Sequence, residues 1–235
     1  MCKWRIMAVA IAGLGLATPA RALDWADLTL WDTIFGSVEA ETRSAFVATG
    51  GKRSFALPLD NTKGFILSAS GLSLSDANRF MRGKMQYGEI DRQSRLIFGL
   101  ERSEGIVFSS VGIGPSMAQV RLRRGARMVM GVALNADIWV RPNSEIYLAL
   151  SSAADTAAQN WWTRARLGYR PQGLPFSFGP ELVASVARTS GKVKLGLHAS
   201  EIALWKFNID LSGGVMWHHD MRPDRYVTFS TYVRY

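Results

Sequence analysis

Few residues of this chain carry reactive chemistry, and their spacing limits what they can do. His198 and Ser200 stand two apart, so on a strand both side chains leave one face. That is the arrangement in which a histidine activates a serine nucleophile while an acid orients the histidine. Asp210 is placed to be that acid from the next strand, whereas Glu201, adjacent to Ser200, points to the other face. His218-His219-Asp220 resembles a metal motif only on paper. Neighbouring histidines on a strand diverge, and His198 is the only other histidine available, too few donors for a typical site. A turn beside a ring of aromatics is the better reading, and no metal is expected. Gly50-Gly51-Lys52-Arg53-Ser54 lacks both the first glycine of a phosphate loop and the Ser/Thr directly after lysine, so no nucleotide and no other cofactor is implied.

The larger constellation is charged and aromatic. Trp162, Arg164, Arg166, Gly168 and Arg170 alternate with Trp161, Thr163, Ala165, Leu167 and Tyr169. If this is a strand in a membrane, three arginines cannot face hydrocarbon, where one charge costs about 2–4 kcal/mol at the midplane. They must face inward and need acids there. Asp137, Glu181 and Asp210 fall on the polar phases of their own segments, and His198 does too. Trp139 and Trp162 share the phase of the charges. Two readings stay open: a salt-bridged plug filling a narrow lumen, or a polar and aromatic track for a sugar chain. Trp161 and Tyr169, on the opposite phase, fit an interfacial aromatic girdle.

The elements that must position these residues are strands. Phe207, Ile209, Leu211, Gly213, Val215 and Trp217 alternate with Asn208, Asp210 and Ser212. The same period of two runs through 193–199, 128–138 and 227–235, and it is a strand signal. These runs reach about ten residues, the length of a tilted spanning strand, where ordinary strands average about five or six. A soluble exported β-sandwich also alternates, but strand length favours an all-β, antiparallel outer-membrane β-barrel. Candidate strands are 33–40, 43–50, 64–72, 79–87, 94–102, 105–113, 126–140, 145–152, 161–170, 176–187, 192–202, 206–217 and 225–235. Single-chain bacterial barrels use even strand numbers, so one of these thirteen is superfluous. The weakest alternation is in 33–40 and 79–87. About twelve strands are expected, with ten as the fallback, and the chain ends on an aromatic residue, Tyr235.

Composition agrees with export. Of 235 residues, 48% are apolar and 20% charged, enough for a packed structure and too little charge for a disordered one. Lys3 and Arg5 precede the apolar run Ile6 to Ala17, and Ala20-Arg21-Ala22 is a small-x-small cleavage site. Residues 1–22 therefore read as a signal peptide, 23–32 as a leader and 33–235 as the barrel. Cleavage removes Cys2, the only cysteine, and lowers the formal net charge of +9 by three. Cys2 precedes the apolar run and so is no lipidation site, and export removes a nucleic-acid role for the basic balance. The basic run Arg121, Arg123, Arg124, Arg127 is expected in a loop before a strand, facing lipopolysaccharide phosphates, an acidic partner or solvent.

Four segments in order carry a resemblance: Trp139-Val140-Arg141-Pro142, then Trp162 to Arg170, then Gly179-Pro180-Glu181, then Leu195-Gly196-Leu197-His198. Together they resemble the cellulose biosynthesis protein BcsS family over roughly residues 126–235, with Leu96-Ile97-Phe98-Gly99-Leu100 aligning before that. The resemblance implies a non-enzymatic outer-membrane accessory of cellulose biosynthesis and secretion. Its implied partners are outer-membrane lipid, the glucan chain and other cellulose-secretion components. It carries no functional residues with it. Two alternatives remain: a lipid A-modifying hydrolase acting through His198 and Ser200, and a small porin-like channel.

Overall fold

A long amphipathic strand in lipid has to pair on both edges, because an unpaired backbone N–H or C=O has no water to bond. The chain meets that demand by closing on itself. The structure is a computed structural model that describes residues 32–41, 44–75, 90–122, 125–187, 190–218 and 223–234. Its strands are β1 (Thr33–Glu41), β2 (Ser44–Ala56), β3 (Thr62–Ser75), β4 (Ile90–Glu104), β5 (Val107–Leu122) and β6 (Gly125–Val140). The second half adds β7 (Ile146–Asp155), β8 (Asn160–Tyr169), β9 (Ser177–Ala187), β10 (Ser190–Leu204), β11 (Phe207–His218) and β12 (Asp224–Arg234). Each strand pairs antiparallel with its sequence neighbours, and β1 closes the barrel against β12, from Thr33↔Arg234 to Glu41↔Tyr226. Twelve antiparallel strands result, as expected.

Segment 33–40 is a strand after all, lengthened by one residue. Its alternation is weak because one phase carries Glu39 and Glu41 while the other holds Gly36, Val38 and Ala40, so apolar contrast is low. Candidate 79–87 lies outside the described residues, as do residues 1–31, His219, Asp220 and Tyr235. The expected loop around Arg121 and Arg127 is corrected. β5 and β6 pair as far as Leu122↔Gly125, so both arginines belong to the hairpin tip, and Arg123 and Arg124 lie outside the described residues.

Burial is inverted relative to a soluble protein. Leu197 is 68% exposed, Val111 59% and Leu195 52%, whereas Glu181 is 1% and Lys194 3% exposed. Apolar surface of that extent is not tolerated in water; it is the lipid-facing band of a transmembrane barrel. Aromatics ring it at both ends. Trp161 and Trp217 lie toward the β7–β8 and β11–β12 connections, and Tyr169, Phe178, Trp205 and Phe207 toward the end where β1 begins and β12 ends. Tyr169 and Phe178 pack edge to face at 6.0 Å.

Glycines let inward rings lie flat on the wall. Tyr147 covers Gly168, its register partner on β8, and a Cβ there would fall 2.0 Å from the ring. The ring cannot retreat, because its hydroxyl is bonded on two sides. Gly168→Ala is expected to cost about 1–3 kcal/mol by overpacking. The check is the temperature at which the folded band disappears in a semi-native detergent gel.

Candidate functional site

The interior is built from alternate residues of successive strands, and its charges pair both along and across the wall. Arg166 faces Glu181 in the β8–β9 register. Its Nε donates to Glu181 Oε2 at 2.6 Å, and its Nη1 donates to Asp210 Oδ2 on β11 at 3.2 Å. The second contact passes β9 and β10, a path open only through the lumen. Arg164 Nε lies 3.6 Å from the same Glu181 oxygen, and the Tyr226 hydroxyl donates to Glu181 Oε1 at 3.4 Å. One carboxylate thus balances two guanidinium groups, and Asp210 balances the remainder. Beside them, Lys194 bonds Glu39 and reaches Glu41 at 3.2 Å, while Lys192 donates to Glu41 at 2.5 Å. Charges so deep persist only when paired, since breaking such a pair strands its partner.

A second cluster centres on Tyr147, which is 1% exposed. Its hydroxyl shares hydrogen bonds with His198 Nε2 at 2.8 Å and Ser200 Oγ at 2.7 Å. The tyrosine therefore stands between the histidine and the serine. Asp210 is engaged by Arg166 and by the Glu201 backbone N–H at 3.1 Å. The serine–histidine and acid–histidine contacts of the hydrolase reading are not made among the described residues.

Glu201 corrects the sequence reading. It was expected on the face opposite Ser200, but β10 carries a bulge between Ala199 and Ile202, and Glu201 takes a positive φ of 60°. An extra residue in one strand breaks the period of two. Glu201 consequently accepts from Arg141 Nη2 at 2.7 Å, from Ser177 Oγ at 2.9 Å and from Arg170, near the mouth where β1 begins and β12 ends.

The predicted site residues thus divide. Arg164, Arg166, Glu181 and Asp210 come together, and Trp139 joins His198 through Tyr147, on which it stacks at 4.8 Å between centroids. Arg170 belongs to the Glu201 cluster instead. Trp162 sits under the Arg164 guanidinium at 5.7 Å, away from Trp139. Asp137 stands apart on β6, accepting from Ser110 at 3.1 Å and Asn135 at 2.8 Å. Residues missed in the sequence are Tyr147, Glu201, Glu39, Glu41, Lys192 and Lys194. The last four are two apart in pairs, a spacing that shows a shared face without showing which charge meets which.

A closed antiparallel wall, apolar outside and ion-paired inside, defines an outer-membrane-type β-barrel. The chain belongs to the cellulose biosynthesis protein BcsS family, whose match spans residues 34–235 and so takes in all twelve strands. Among solved structures it is similar to the KdgM porin, with a TM-score of 0.54 at 9% identity over 86% of this chain and 99% of that one. A KdgM porin in complex with disordered oligogalacturonate gives 0.53 at 9% identity, with the same coverage. At such identity the likeness is one of fold. No curated protein matches the chain.

Proposed function

We propose that this protein is a non-enzymatic accessory of cellulose biosynthesis and secretion, seated in outer-membrane lipid and working with the glucan chain and other secretion components. Residues 1–22 are its cleaved export signal, 23–32 a leader, and 33–235 the working barrel. The mouth where Thr33 pairs with Arg234 faces the periplasm, the side on which a leader behind a cleaved signal remains. The observation that carries the reading is the family match across the whole barrel. The ion pairs that cross the interior support an anchoring or docking role over that of an open pore. In this reading Arg164, Arg166, Glu181 and Asp210 form a structural plug, and His198 and Ser200 are wall residues held by Tyr147.

The porin that takes oligogalacturonate keeps a channel reading in view, and a bilayer recording separates the two: the accessory reading expects no steady open-pore conductance. Deleting the gene should lower cell-surface cellulose and the intact gene should restore it; unchanged cellulose would overturn the proposal. Ser200→Ala should leave the mass spectrum of lipid A unchanged. A lipid A species that depends on Ser200 would make the barrel an enzyme.

A further inference from the structure

At the mouth where β1 begins and β12 ends, the β4–β5 turn and the segment joining β6 to β7 form a recess of about 380 Å³. Trp139 and Phe108, register partners on β6 and β5, line it together with Arg141 and Asn143. One face of Trp139 is fixed on Tyr147, nearly parallel at 13°. The indole N–H has no hydrogen-bond partner among the described residues. Arg141 holds the rim in place: its backbone N–H donates to Ile106 O at 2.8 Å, and its guanidinium bridges to Glu201 while lying 5.9 Å over the Tyr147 ring. Asn143 Oδ1 accepts from the backbone N–H groups of Glu145 and Ile146 at 2.9 and 2.8 Å. That fixes the side chain and leaves its amide NH₂ as a spare donor.

The recess therefore offers a pre-set aromatic plane, a second ring beside it, and planar donors at the edge. A pyranose ring with equatorial hydroxyls presents the complement: C–H groups on its faces and hydroxyls around its rim. Pre-organised apolar surface with a few placed polar groups is the general form of a small-ligand site. Arg141 and Arg170 share Glu201, Arg102 pairs with Glu104 beside the β4–β5 turn, and Lys52 over Phe108 pairs with Glu101. Glu145 adds a further carboxylate in the β6–β7 segment, so these cations are matched by acids and no surplus one waits for a uronate. Uncharged sugar fits better than acidic sugar.

We infer that this mouth recess is a subsite for a sugar ring of a neutral β-linked glucan, stacked on Trp139 and hydrogen-bonded by Asn143 and Arg141. The inference rests on the cellulose reading above, and it makes the barrel a docking point for glucan at its periplasmic mouth.

Calorimetric titration of the full barrel folded in detergent tests it, with cellohexaose as probe and an oligogalacturonate of equal length as the acidic comparison. Cellohexaose should bind, and the oligogalacturonate should bind at least tenfold more weakly. Trp139→Ala should weaken cellohexaose more than tenfold, while Trp139→Phe, which keeps an aromatic plane, should retain most of the affinity. Asn143→Asp keeps the acceptor that holds the turn and removes the NH₂ donor. It should weaken binding several-fold with unchanged heat-modifiable mobility in detergent gels, which separates a ligand contact from a folding role. No cellohexaose binding, equal binding by Trp139→Ala, or preference for the oligogalacturonate would overturn the site. If cellulose falls on gene deletion and cellohexaose does not bind, the site fails and the accessory role stands. If binding depends on Trp139 and cellulose is unchanged on deletion, the accessory role fails and the glucan site stands.

Discussion

Leu182→Arg is expected to stop the barrel from assembling in the outer membrane. Leu182 faces outward on β9 at 46% exposure, between Ala165 and Leu195 in the register. It lies four residues from Phe178 of one girdle and four from Val186, the register partner of Trp161 in the other. That is the middle of the apolar band, where an arginine costs about 2–4 kcal/mol and near the interfaces only about 0–1. Leu167→Arg should be milder, because Leu167 is two residues from Tyr169 at the girdle. The readout is the fraction of heat-modifiable protein in outer-membrane fractions. Equal assembly of the two variants would mean that the band is not centred where the aromatics place it.

Glu181→Leu, one residue away on the opposite face, should assemble poorly for the opposite reason. It strands the Arg164 guanidinium, whose only ion pair among the described residues is with Glu181, and leaves Arg166 with Asp210 alone. Breaking a buried pair in this way costs about 3–5 kcal/mol. Adding Arg164→Met removes the stranded charge while Arg166 keeps Asp210, so the double variant should recover much of the loss. Denaturant titration in detergent micelles measures all three proteins. A Glu181→Leu barrel as stable as the parent would mean that water, not the carboxylate, satisfies the arginines, and the plug reading would fall.

Leu182 and Glu181 show how far the sequence reaches. Alternation put neighbouring residues on opposite faces, and strand length with a girdle at each end made the outer face lipidic. Those are local properties, written within a single strand, so Arg164 and Arg166 could be assigned to the polar phase with no partner in view. Segment 33–40 marks the limit of that method. Its acidic phase and small residues blurred the alternation, and its standing as a strand rests on pairing with β12 at the far end of the chain.

What only tertiary structure decided is which inward group meets which. Arg166 reaches Asp210, and Lys194 reaches Glu39 and Glu41, because closure brings strands far apart in sequence across one lumen; no spacing within a strand encodes that distance. Glu201 was misread because a bulge shifts the phase by one residue, and the bulge is stabilised by Asp210 on the neighbouring strand. Tyr147 went unnoticed between apolar neighbours, since its importance lies in the three side chains that converge on it from β6 and β10. A period-two sequence determines which face each residue takes. The register and closure of twelve strands determine what it touches there.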